Sequence, residues 1–249
     1  MNPAFLVFAN VVLLARLFVL FKDDASTGRS WLIKTAVEVV ALAVFYPCSI
    51  GWLVAAMVVS GANLLGWRRE IRSRQKNLSR LLLGIAEAAA LSICFVPGLG
   101  VAFRPELARL AASLGEVTVL EPLVRLVATP QTQLALLGLL LAGNEANLVI
   151  RAGFDLLDLK PRSLPAGQGV IDVREFSRGR VIGLLERVLL YLFILQGQYG
   201  AIGFVLAAKA FTRFKALDDR PFAEYVLIGT LLSACLALAA GDLVRHLGR

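Results

Sequence analysis

Ionisable side chains set inside long apolar runs are the residues of this sequence whose type and place could do chemistry. They are Arg16, Lys34, Glu38, Glu87, Glu145, Glu186, Arg187, Lys209 and Glu224, with the amides Asn144 and Asn147 flanking Glu145. A charge among apolar neighbours is costly unless a partner neutralises it. Such residues therefore pair to fix helix register, or they line a path for an ion, a proton or an anionic headgroup. Spacing supplies the first candidates. Lys34 and Glu38 stand four apart on one helix face, and Lys209 and Arg213 share a face by the same spacing. Glu186 and Glu224 arrive at similar depth from neighbouring helices, so Glu186, Arg187, Lys209, Arg213 and Glu224 form one expected cluster, the two glutamates neutralising Lys209 and Arg213. A second expected polar cluster is Glu87, Asn144, Glu145 and Asn147. Asn144 and Asn147 share a face at a spacing of three, which suits amide bonding between helices or, with Glu145, an oxygen-rich cation site.

Other chemistries find little support. The one histidine is His246, in the C-terminal tail, and Cys48, Cys94 and Cys235 each stand alone in or beside apolar sequence. Zinc sites and disulfide frameworks need clustered Cys or His. No P-loop and no paired-aspartate motif appears. The expectation is no catalytic set, no metal and no cofactor, and more readily a non-enzyme than an enzyme.

Composition names the solvent. Of 249 residues 58% are hydrophobic and 18% charged, with a mean hydropathy of +0.73, whereas soluble domains are about 45–50% apolar and about 25% charged. That excess leaves too little polar surface for a shell in water, but a bilayer solvates apolar helix faces. The net charge of +8 fits loops that keep Lys and Arg on the cytoplasmic side better than it fits nucleic acid binding.

Apolar runs then predict helices over Pro3–Phe21, Trp31–Pro47, Ser49–Trp67, Leu81–Phe103, Gln131–Ile150, Val181–Leu195, Ala201–Thr212 and Phe222–Ala240. Pro3–Phe21 lacks a preceding basic region and a small-residue cleavage pattern, so it reads as a retained helix. Pro47 and Gly51 split the long stretch from Trp31 to Trp67 into a tight hairpin. The turn at 196–200 splits the stretch after Val181 into two short halves, either a thin spanning hairpin or a re-entrant one. The fold class is thus an all-α polytopic transmembrane bundle of about seven membrane segments. It reads as one integral membrane domain over residues 1–249: N-terminal helices over 1–103, an outer amphipathic segment over 104–130, and C-terminal helices over 131–249.

Sidedness follows from counting. Segments 22–30, 67–80, 151–180 and 213–221 carry 17 Lys and Arg, against 5 in 98–130 and the C-terminal tail. By the positive-inside rule the first set is cytoplasmic in a bacterial-type inner membrane. Glu87, Glu145, Glu186, Lys209 and Arg16 all lie four to seven residues from that boundary, roughly 6–11 Å deep at a helical rise. The bundle should be polar in its cytoplasmic half and apolar in its outer half. Over 104–130, Leu107, Leu110, Ala111 and Leu114 recur at helical spacing and suit the outer interface. The loop 155–180, with Pro161, Pro165, Gly167 and Gly169, suits docking of a soluble partner, as does the basic segment holding Arg68, Arg69, Arg72, Arg74, Lys76 and Arg80.

The strings Gly179-Arg180-Val181-Ile182-Gly183-Leu184-Leu185-Glu186-Arg187, Gly203-Phe204 through Ala207-Ala208-Lys209 to Arg213-Phe214, and Glu224-Tyr225 followed by Ile228-Gly229-Thr230-Leu231-Leu232-Ser233 stand in that order. In them the last third, about Arg180 to Gly241, resembles a family of bacterial inner-membrane proteins called domain of unknown function 3307. The resemblance implies a membrane location and a helical architecture, and no particular activity. That family's His- and Asp-containing first helix has no counterpart here, since no histidine precedes His246.

Three functions compete. The leading expectation is an integral inner-membrane subunit or effector that works with a cytoplasmic or membrane protein partner, or with a second copy of itself, among membrane lipids. The alternatives are a channel or small-solute transporter with a polar cavity open to the cytoplasm, and a lipid-handling membrane enzyme.

Overall fold

The computed structural model describes residues 2–20, 28–73, 75–99, 101–106, 109, 113, 129–157, 173–212 and 220–248. Among these residues every regular element is helical. They are α1 (Pro3–Leu20), α2 (Gly28–Phe45), α3 (Ile50–Arg72) and α4 (Lys76–Cys94), then α5 (Pro130–Leu156), α6 (Val173–Leu195), α7 (Tyr199–Thr212) and α8 (Arg220–Leu247). Four are long and apolar enough to cross a membrane: α3, α4, α5 and the Ala223–Leu247 part of α8. The outer segment expected over 104–130, the loop 155–180 and Arg213 fall largely or wholly outside the described residues.

Local sequence accounts for the helix ends. Pro3 opens α1, where a missing N–H costs nothing, and the Asn2 side chain accepts from the Ala4 N–H at 2.9 Å. Ser49 caps α3 by accepting from the Trp52 N–H at 3.1 Å. At the end of α6, Gly197 takes φ 71°, the Gln198 N–H reaches the Phe193 carbonyl at 2.8 Å, and the Gly197 N–H reaches Ile194 at 3.0 Å. This Schellman closure needs a residue free to adopt the left-handed region, and it makes the turn expected at 196–200.

Helix limits differ from the apolar runs, most often by running past them at their charged ends. The segment 67–80 is not a loop: α3 continues to Arg72, α4 starts at Lys76, and only 73–75 interrupt them. Likewise α6 starts at Val173 rather than Val181, and α8 runs to Leu247 rather than Ala240. Backbone hydrogen bonding continues through charged residues that hydropathy excludes. The reverse holds after Cys94, where α4 stops short of Phe103 and Pro97 opens a 3₁₀ turn, Pro97–Leu99. The residue before a proline is disfavoured in α geometry.

The chain divides into two compact units, Met1–Leu140 and Leu141–Arg249, a finer division than the single domain expected from the sequence. In the first unit α1 to α4 run up and down. One end is aromatic: Phe8 stacks on Phe95 at 5.6 Å, Tyr46 meets Phe95 edge-on at 5.4 Å, and the Tyr46 hydroxyl donates to the Ala4 carbonyl at 2.7 Å. The opposite end is charged and holds Arg16, Lys34, Glu70 and Arg80, all buried. Meanwhile Leu32, Val40, Ile50, Met57 and Ile85 stand exposed. Charge inside and hydrocarbon outside is the arrangement that lipid solvation selects.

In the second unit Leu190, Ile194, Ile202, Ala234 and Ala237 form the core. The small residues of α8 turn inward: Gly229 faces the Phe154 ring, and Gly241 lies against Ile194. Within α5 the backbone widens into a π-helical turn, Leu141–Glu145.

Close approach also fixes the charged end of the first unit. A Cβ on Gly66 would lie 2.4 Å from the Trp31 ring, whereas one on Gly61 would meet nothing within 4 Å. Gly66→Ala is therefore expected to lower stability by about 1–3 kcal/mol through overpacking, read as a lower unfolding midpoint in detergent. Gly61→Ala, on the same helix, is expected to be neutral or slightly stabilising. Equal midpoints for the two variants would contradict the packing.

Candidate functional site

The charged end of the first unit is built around one ammonium. Lys34 on α2 is 1% exposed and lies 2.6 Å from Glu38 Oε1, one turn along its own helix. It donates to Asn63 Oδ1 on α3 at 2.6 Å and to Glu87 on α4 at 3.2 and 3.4 Å. Asn63 closes the ring by donating from Nδ2 to Glu38 Oε2 at 2.7 Å. Three helices thus meet through one cation, two carboxylates and an amide, and the amide satisfies a donor and an acceptor at once.

Nearer the helix ends a second group joins the same elements. Glu70 on α3 accepts from Trp31 Nε1 on α2 at 2.7 Å and pairs with Arg80 on α4. Arg16 on α1 donates to the Arg80 carbonyl at 3.3 Å and fills the space over Gly84, where a Cβ would lie 2.6 Å from its guanidinium. Between the two groups is a cavity of about 10 Å³ lined by Arg16, Trp31, Lys34, Arg80, Leu83 and Glu87, roughly the room one water needs. Toward the aromatic end, Asn10 Nδ2 donates to the Gln133 carbonyl at 2.9 Å and to its Oε1 at 2.8 Å. In sum, three buried cations (Arg16, Lys34 and Arg80) share this end with three buried carboxylates, Glu38, Glu70 and Glu87. Such a balanced set fixes register and makes any single deletion expensive.

Adjacent residues of the second unit point to different neighbours. Glu186 on α6 pairs with Lys209 on α7. Arg187 is 4% exposed and turns to the π-helical turn of α5, where its Nε donates to the Ala142 carbonyl at 2.9 Å. Its Nη2 lies 3.5 Å from the Gly143 carbonyl and its Nη1 3.4 Å from Ser233 Oγ on α8. π turns recur where a side chain enters the helical ladder, and here an arginine does so.

The expected clusters are partly assembled. Of the first, Glu186 and Lys209 meet as expected, Arg187 belongs to a different contact set, Glu224 is exposed on α8, and Arg213 lies outside the described residues. The second divides: Glu87 belongs to the first unit with Lys34, while Asn144, Glu145 and Asn147 belong to the second. Among the basic residues expected to dock a partner, Arg68, Arg69 and Arg72 are exposed, Lys76 is half-buried, and Arg74 lies outside the described residues. For Arg80 the expectation is corrected: it is 4% exposed and spent on Glu70, because it sits one turn inside α4 on the face turned to α3. Hydropathy and charge depth pass over Asn63, Glu70 and Trp31. Their signal is spacing, since Asn63, Gly66 and Glu70 fall on one face of α3 at intervals of three and four. Compared with known proteins, this chain matches no family model, no curated protein and no solved structure.

Proposed function

We propose that this chain is a non-enzymatic, multi-pass subunit or effector of a bacterial inner membrane, working with an acidic surface of a cytoplasmic protein partner. In this reading the helices supply about seven membrane segments, and the charged end of the first unit faces the cytoplasm. The carrying observation is how the cations are spent. Lys34 and Arg80 are buried and Lys209 is half-buried, and each is paired with a carboxylate of its own unit. Arg68, Arg69 and Arg72 lie exposed on the last turns of α3, and their guanidinium groups make neither a hydrogen bond nor an ion pair among the described residues. Clustered, unneutralised guanidinium groups on a rigid helix suit bidentate recognition of carboxylates. The resemblance of the last third to domain of unknown function 3307 supports the membrane location.

The test is charge reversal at that helix end. Purified in gentle detergent, the wild-type chain is expected to bring down a soluble protein in stoichiometric amount. Arg68→Glu, Arg69→Glu and Arg72→Glu together are expected to cut that recovery at least about tenfold, equivalent to about 1.4 kcal/mol, with the midpoint of unfolding unchanged. A lone wild-type chain, equal recovery with the variant, or reporter fusions placing 68–72 outside the cytoplasm would each overturn the reading.

A further inference from the structure

We infer that Arg187, with Asn144 and Ser233, forms an oxyanion site in the second unit that takes a phosphate group. Arg187 differs from the other paired cations. Lys34, Arg80 and Lys209 each meet a carboxylate. Arg187 hydrogen-bonds only to two backbone carbonyls and a hydroxyl; among the described residues no carboxylate lies within ion-pair distance, and Glu186 acts on it electrostatically from farther away. The neighbouring carboxylate in sequence, Glu186, is taken by Lys209. A guanidinium stays charged in proteins, so this position keeps a full positive charge with 4% exposure. Carbonyl dipoles offset part of that cost and leave the net charge in place.

The donors are under-used as well. Nε makes one well-formed bond, to Ala142 at 2.9 Å. The four Nη hydrogens have only the two long contacts, at 3.4 and 3.5 Å. In the same π turn, Asn144 is 8% exposed and its Nδ2 has no acceptor among the described residues. Weakly engaged Nη groups, an amide donor in the same turn and a hydroxyl make a donor-rich, cationic place in which no carboxylate meets the guanidinium among the described residues. An oxygen anion completes it, and a tetrahedral one can accept from groups out of one plane.

There is also an approach. Gly179 and Gly183 precede Arg187 at intervals of four on the same face of α6. A Cβ on Gly179 would meet nothing within 4 Å, and one on Gly183 would meet only Arg187 Nη1, at 3.6 Å, among the described residues. Two turns of helix thus present bare backbone on the way to the guanidinium, a path of about 12 Å. The phosphate can come from a phospholipid headgroup at the end of α6 or from free phosphate. This inference does not depend on partner docking at α3, which is built from other residues.

The full chain in a neutral detergent is titrated with two probes, and its unfolding midpoint is followed. One probe is inorganic phosphate, with sodium chloride at matched ionic strength as control. The other is phosphatidylglycerol, with diacylglycerol as its phosphate-free control. At saturating probe the wild-type midpoint is expected to rise by about 3 °C or more over the control. A rise with both probes assigns a free oxyanion, and a rise with the lipid alone assigns a headgroup. Gly183→Leu, which fills the approach and keeps the Arg187 charge, is expected to abolish the rise. Asn144→Ala, which adds no bulk, is expected to weaken the apparent affinity about tenfold, and it decides the matter if Gly183→Leu does not assemble. No rise with either probe, or a rise that survives these substitutions, overturns the site.

Discussion

Lys34→Met is expected to be the most damaging single substitution in the first unit, costing about 3–5 kcal/mol, the range for removing one partner of a buried ion pair. The reason is what it leaves behind rather than the contact it removes. Glu38 and Glu87, 0% and 4% exposed, would face each other with no ammonium between them, and Asn63 Oδ1 would lose its donor. Two uncompensated carboxylates at this depth must take up protons, rearrange or pull the helices apart. A detergent denaturation series should show the midpoint of the first unit falling sharply. Adding Glu38→Gln and Glu87→Gln to Lys34→Met removes the charges and is expected to recover most of the loss. That recovery separates charge imbalance from lost packing, which the added glutamines cannot restore. Wild-type stability for the single variant would mean that the network does not hold these helices.

Much of that network is legible in the sequence, and the part that is not has a physical reason. Lys34 with Glu38 and Glu186 with Lys209 follow from helical spacing and depth, because a charge in an apolar run must find a partner and few are within reach. The third and fourth members, Glu87 and Asn63, depend on how α2, α3 and α4 rotate about their axes, which spacing on a single helix leaves open. Arg80 shows the opposite limit. Six Lys and Arg in fourteen residues look like a solvated loop, yet α3 runs on to Arg72 and α4 starts at Lys76, which sends Arg80 inward against Glu70. Hydropathy marks where lipid begins and ends; hydrogen bonding sets where helices do. The π turn at Leu141–Glu145 has no legible signal at all, since the side chain that meets it, Arg187, is more than forty residues away in sequence.

At that turn the sign of the effect is itself informative. Two opposed contributions meet in Arg187→Met. Removing a buried charge without a carboxylate relieves a desolvation cost, which favours the variant. Removing the guanidinium also strands the Ala142 carbonyl, which accepts its best bond, and frees the Gly143 carbonyl and Ser233 hydroxyl. A hydrogen bond from a charged donor is worth about 1.5–3 kcal/mol, and a buried carbonyl left without a partner costs about 1–3 kcal/mol. Much of the desolvation cost, by contrast, is already offset, because two backbone dipoles point at the charge. The bonds should therefore win, and Arg187→Met is expected to destabilise the second unit by about 2–3 kcal/mol. Arg187→Lys should recover less than half of that, since an ammonium keeps the charge but cannot fork across successive carbonyls. Measured by unfolding in detergent without added phosphate, a methionine variant more stable than wild type would show that desolvation dominates. The π turn would then exist despite Arg187 rather than because of it.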